Sequence, residues 1–195
     1  MTEIIRAALG IFATLAPFGL IPAFLALPVN PAAKTDGESQ ARTLNYAAAT
    51  SLAVLLLTVV VTDAFLGLID VVPESFQAGA AVIMLPLAAQ LLWTGRSMDP
   101  GERVTSRPWL MPLTFPGLVG PPSLAAVLAY TARYSELEAA LATVLAVALA
   151  YAILWFAEPL GRQMGPLALG MIGRLSGAFI VVIALELVVD GVRSV

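Results

Sequence analysis

Two runs of proline and glycine lie inside stretches otherwise apolar enough to cross a bilayer. The first is Pro17-Phe18-Gly19-Leu20-Ile21-Pro22. The second is Pro112-Leu113-Thr114-Phe115-Pro116-Gly117-Leu118-Val119-Gly120-Pro121-Pro122, and its Pro116 and Pro121 repeat the spacing of Pro17 and Pro22. Proline removes a backbone donor and clashes with the carbonyl one turn back, while glycine adds backbone freedom. In hydrocarbon the freed groups must find partners, so broken backbone survives only where protein or a wet cavity surrounds it. The chemistry on offer is that of half-helix ends. Their N-termini suit a carboxylate, and their C-termini and loose carbonyls suit an ammonium or a cation. Crossed breaks from inverted halves present both near the midplane, as a zwitterionic amino acid requires. Pro17, Gly19, Pro22, Thr114, Pro116, Gly117, Gly120, Pro121 and Ser123 are therefore the candidate substrate-binding residues, Thr114 and Ser123 adding hydroxyls. Gly79 and Gly177 join them as small residues that let helices approach and leave room for a small ligand.

Glu186 and Asp190 stand four apart on one helical face. Ionisable groups inside a membrane are costly and are by default functional candidates, so both are candidates for proton or cation coupling. Asp190 also reads as a solvated helix end. The chain contains no histidine and no cysteine. That excludes disulfides, thiolate or imidazole metal sites and nucleophile–histidine catalysis. No Gly-x-Gly-Asp motif suggests an intramembrane aspartyl protease either. The reading requires no metal and no cofactor, and it is not that of an enzyme.

Positioning these residues takes membrane helices. Of the 195 residues 59% are hydrophobic and 12% charged, and the mean hydropathy is +0.92. Soluble domains carry about 25% charged residues, so the composition is that of an integral membrane protein whose surroundings are lipid. The net charge of −3, with no basic block, argues against nucleic-acid partners. Nothing here sets an oligomeric state. A crossing helix needs about 20 apolar residues, and six segments qualify: about 6–27, 45–69, 76–95, 110–132, 137–158 and 167–191. They leave one polytopic domain over 1–195. Thr35 with Glu38, and Ser135 with Glu138, have capping-box spacing ahead of the second and fifth spans. Pro73 and Ser75 mark the turn into the third span, and Gly161 to Gly170 reads as a turn before the sixth.

The halves repeat. Pro17 and Pro22 map onto Pro116 and Pro121 at a shift of 99, and Gly79-Ala80 onto Gly177-Ala178 at a shift of 98. Gln90 and Gly95 likewise resemble Glu186 and Gly191. Repeat one spans about 1–96, repeat two about 108–195, and the linker about 97–107. Three spans per half make the halves run oppositely through the membrane. The fold class expected is all-α, with six transmembrane helices in two inverted three-helix repeats, the first and fourth helices interrupted. One side of the membrane holds Lys34, Arg42, Arg96, Arg103, Arg107, Arg162 and Arg174, and the other only Arg6, Arg133 and Arg193. The positive-inside rule then puts both termini outside, and Trp93, Trp109 and Trp155 fall at span ends on the cytoplasmic side.

The run Pro112-Leu113-x-x-Pro116-x-x-x-Gly120-Pro121 resembles the signature of MarC-related (UPF0056) bacterial inner-membrane proteins. Pro17 to Leu27 is similar to that family's N-terminal motif, and Arg174-Leu175-Ser176-Gly177 to the opening of its last span. The resemblance covers nearly the whole chain. It implies six helices in an inner membrane and, for better understood members, transport of small neutral amino acids such as glycine and alanine. The chain departs from the pattern where Ala16 replaces an asparagine, Ala80 and Pro122 replace glycines, and Glu186 and Asp190 replace amides. Those exchanges give a more acidic, stiffer site. The function expected is alternating-access transport of small neutral solutes with proton or sodium coupling. A non-transporting scaffold or channel is the alternative.

Overall fold

The computed structural model describes residues 2–27, 36–69, 73–97 and 109–193, and among them every regular element is helical. Thr35 of the first capping pair and residues 98–107 of the central linker lie outside the described residues. The helices are α1 (Thr2–Leu15), α2 (Pro17–Leu25), α3 (Asp36–Ile69), α4 (Pro73–Thr94), α5 (Pro121–Arg133), α6 (Glu136–Trp155) and α7 (Ala157–Arg193). A wide, irregular proline segment, Trp109–Leu118, precedes α5.

Four of these stretches are long and apolar enough to cross a membrane: Thr2–Leu25, Gln40–Thr62, Glu136–Trp155 and Ala157–Val189. The proline segment with α5 makes a fifth across a 53° bend. The third expected span is shorter than required, since the apolar part of α4 is only Ala78–Thr94. Leu57, Val60, Leu68, Val82, Phe179 and Leu185 all lie exposed on helix surfaces. In water such a coat would aggregate, whereas hydrocarbon accepts it at no cost. The chain is a multi-pass membrane protein.

The local sequence explains each break. Ala16 adopts φ 44°, ψ 49° between α1 and α2; the following Pro17 accounts for its leaving the right-handed helical region, though not for its being left-handed. Holding alanine left-handed costs about 1–2 kcal/mol. The cost is tolerated where packing fixes the backbone, and Ala16 is fully enclosed. Met111 (φ −130°, ψ 125°) and Phe115 (φ −117°, ψ 126°) are extended for the same reason, each preceding a proline. The expected turn before the last span is confined to Gly165, at φ 68°. The preceding residues remain helical, and Arg162 pairs with Glu158 at 2.6 Å across one turn. Ser135 and Glu138 form the expected capping box: Glu138 N–H donates to the Ser135 hydroxyl at 3.3 Å, and the Glu138 carboxylate accepts from Ser135 N–H at 3.3 Å.

Small residues set the packing. The α1–α2 helix is the central one, with 72% of its spanning window buried against 28–39% in the other three spans. On α6 the buried stripe Ala139, Ala142, Ala146 and Ala150 lets neighbouring backbones come close. The tightest contact joins α4 to α7. A Cβ on Gly177 would lie 2.9 Å from Leu91 Cβ, and one on Gly173 would overlap the Gly95 carbonyl. Gly95 itself ends α4 at φ 72°, against the Gly170 backbone. Gly79 is different: it is exposed, with open space where a side chain would go. The small-residue contact on α4 is therefore made by its C-terminal half.

Two glycine substitutions separate these environments. Gly173→Ala is expected to lower stability by more than about 2 kcal/mol, because α4 and α7 must part. Gly79→Ala should leave it unchanged or raise it by about 0.5–1 kcal/mol through helix propensity. Thermal unfolding of the detergent-solubilised protein measures both, and equal effects would contradict the packing described.

Candidate functional site

The second break borders a cavity of about 440 Å³. Pro116, Gly117, Gly120, Pro121 and Pro122 form one wall. Ile83, Pro86, Leu87 and Gln90, on one face of α4, form the other, with Thr14 of α1 and Ser97 completing it. Among the described residues no charged side chain lines this cavity.

The breaks themselves are closed by local bonds. The Ala16 carbonyl accepts from Gly19 N–H at 2.9 Å and from Leu20 N–H at 3.2 Å. At the second break Gly120 N–H donates to the Ser123 hydroxyl at 2.9 Å. That hydroxyl donates in turn towards the Leu118 and Gly120 carbonyls, each at 3.0 Å. Val119 N–H reaches the Thr114 carbonyl at 2.7 Å, and the Thr114 hydroxyl donates to the Trp109 carbonyl at 2.6 Å. Pro121 and Pro122, at the start of α5, have no N–H to offer. Thr114 and Ser123 are thus buried behind the wall with their hydroxyls committed.

The uncommitted polar groups come from the end of α4. Gln90 Nε2 donates to the Ser97 carbonyl at 3.0 Å, and Ser97 N–H donates to the Gly19 carbonyl at 3.2 Å. The turn after α4 is thereby tied to the first break. The Ser97 hydroxyl is buried and has no hydrogen-bond partner, an arrangement that native structures rarely leave unexplained. Gln90 keeps its amide oxygen and one N–H for other partners. Neither residue was singled out from sequence as lining a site. The signal was present in Gln90, an uncharged amide inside an otherwise apolar membrane stretch.

The remaining sequence candidates disperse. Pro17 is buried at the start of α2, and Gly19 lies against Ser97. Pro22 lines a separate cavity of about 700 Å³ with Gln40, Arg96, Glu158 and Arg162. Arg96 and Ser97 are consecutive, so the turn after α4 stands between the two cavities. Gly177 is occupied by packing against Ala88 and Leu91, and exposed Gly79 lines neither cavity. Glu186 lies in another cavity, 3.8 Å from Arg133. The Asp190 side chain is outside the described residues. Among the described residues no group of three or more acidic side chains converges as a metal site.

Comparison with known proteins agrees with a membrane protein. Residues 1–195 match the family described as MarC family integral membrane protein. A UPF0056 membrane protein of Methanocaldococcus jannaschii is 25% identical over 194 residues, covering 94% of this chain and 93% of the relative. The UPF0056 inner membrane protein YhgN of Escherichia coli is 24% identical over 196 residues, covering 99% of this chain and 98% of the relative. No solved structure matches.

The capping at the breaks has measurable consequences. Ser123→Ala is expected to cost about 1–2 kcal/mol, since it removes the N-cap partner of Gly120 and two carbonyl contacts. Ala16→Gly is expected to gain about 1 kcal/mol by relieving the left-handed alanine. Melting temperatures report both, and an unchanged Ser123→Ala protein would contradict the bonding described.

Proposed function

The chain belongs to the MarC family of integral membrane proteins, and from that premise we propose that it carries small neutral solutes across the membrane. Amino acids of the glycine and alanine kind are the favoured substrates. The observation that carries this reading is the cavity at the second break. It combines broken-helix backbone with an amide, an unpartnered hydroxyl and, among the described residues, no charge. A net-charged solute entering it would lose hydration with no counter-charge in return. A small zwitterion, compensating its own charges, loses less and gains hydrogen bonds from Gln90 and Ser97.

The pattern of neighbours supports two inverted three-helix halves. The first comprises α1–α2, α3 and α4, and the second the proline segment with α5, α6 and α7. Exchanging halves turns the α1–α6 contact into that of α5 and the proline segment with α3, and the α4–α5 contact into that of α7 with α1–α2. The α4–α7, α3–α6 and α1–α5 contacts map onto themselves. On this reading α4 is the third of six spans, short because it ends at the level of Gly19. The turn Gly95–Ser97 then acts as the barrier between the two cavities. Alternating access requires the Gln90–Ser97 and Ser97–Gly19 bonds to open. The cavity containing Arg96 and Arg162 faces the cytoplasm and both termini face outside, following the arginine distribution. Coupling to a proton or Na⁺ gains no support from Glu186, which faces Arg133 away from the break.

Counterflow in proteoliposomes tests the proposal, because a carrier shows saturable exchange and a channel or scaffold does not. Gly120→Leu should abolish flux in the protein that still folds, since its side chain enters the cavity and its Cβ, within 2.9 Å of the Pro116 carbonyl, forces the break to shift. Gln90→Leu should reduce flux about tenfold or more by removing the amide. Full flux in both variants, or no exchange of any small neutral amino acid by the unaltered protein, would overturn it.

A further inference from the structure

Glu186 belongs to a slot of about 610 Å³ between α1, α5 and α7, which shares no lining residue with the cavity at the break. Its lining is ordered along its length. Arg6 near the start of α1 and Glu186 near the end of α7 mark one end, together with Tyr134, which closes α5. From there α1 contributes a stripe that ends at Ala13, and α7 a stripe through Ile183 and Phe179 to Ser176. At 1.5 Å per residue the α7 stripe runs about 15 Å, from charged rim to apolar interior. The Ser176 hydroxyl at the inner end is already bonded to the Ile172 carbonyl at 3.1 Å. Leu9 and Phe179 on its walls are exposed, 56% and 65%, so the slot opens sideways onto the hydrocarbon.

Two opposite charges at the rim and an apolar channel opening onto lipid fit a lipid more closely than a water-borne solute. We propose that this slot seats a phospholipid with an ammonium-bearing headgroup, an ethanolamine phospholipid. Its phosphate meets Arg6, which has no ion pair among the described residues. Its ammonium meets the Glu186 carboxylate. The Arg133–Glu186 distance of 3.8 Å and the 55% exposure of the Glu186 side chain leave that carboxylate oxygen capacity to accept further bonds. Tyr134 stays neutral at the rim: burial, with the bond its hydroxyl donates to the Glu3 carboxylate, raises its phenol above the ordinary range, and its oxygen is left as an acceptor for the ammonium. One acyl chain runs inward between Phe12 and Phe179. The Tyr130 ring forms the back wall, and it occupies the space where any side chain on Gly10 would stand.

Native mass spectrometry of the full chain tests this with three phospholipids of identical acyl chains, bearing ethanolamine, choline or glycerol heads. The unaltered protein should retain one ethanolamine lipid about tenfold better than either alternative, as a charge-assisted bond warrants. Glu186→Gln, at an exposed position that does not threaten folding, should make ethanolamine and choline lipids equal. Arg6→Gln should weaken all three lipids together. Equal retention of the three by the unaltered protein would overturn the proposal, as would an ethanolamine preference that survives Glu186→Gln. Displacement of the lipid by millimolar alanine would assign the slot to a solute and overturn it too.

Discussion

A peptide group that leaves a helix inside hydrocarbon has no water to fall back on, and that constraint shapes this protein at its breaks before Pro17 and Pro121. Each break is closed locally. The Ala16 carbonyl collects the first amides of α2, and Ser123 serves as both acceptor and donor at the start of α5. The prolines contribute by subtraction, since Pro17, Pro121 and Pro122 occupy positions where an N–H would otherwise be stranded. The breaks therefore supply shape and a change of direction. Polarity for a ligand comes from elsewhere.

That polarity comes from the end of α4, and its placement depends on glycine. Backbone contact of Gly95 with Gly170 and Gly173 brings the turn after α4 against α7. Ser97 then reaches the Gly19 carbonyl, and Gln90 holds Ser97 from above. A larger residue at Gly95 or Gly173 would meet backbone, push the turn away and join the cavity at Pro116 to the one containing Arg96. One packing contact thus sets both the shape of the site and the barrier beside it.

Much of the architecture was legible in the sequence, because membrane helices are written in long apolar runs and their interruptions in proline. The breaks at Ala16 and after Leu118, the Ser135–Glu138 box and the approach of Gly177 to α4 all follow from local chemistry. The site was legible only in half. Pro116, Gly117, Gly120 and Pro121 do line a cavity, but Thr114 and Ser123 are consumed by the backbone they cap. A hydroxyl beside a break can face a ligand or satisfy the break, and sequence does not distinguish the two. Ser97 sits in what reads as a linker, and only the tertiary contact through Gly19 brings it inward. Gly79 and Gly177 each open a Gly-Ala pair in an apolar stretch, yet one is exposed and the other enclosed. Burial depends on the neighbouring helix and not on the residue.

The central claim is that a small neutral solute occupies the cavity beside Gln90 and Ser97. Because the chain has no cysteine, a single Ser97→Cys places the only thiol in the protein at that point. Its rate of modification by a small thiol reagent, measured with and without saturating alanine or glycine, reads occupancy directly. The account predicts that the amino acid slows modification several-fold while an acidic or basic amino acid does not. Identical rates in every solution would contradict it.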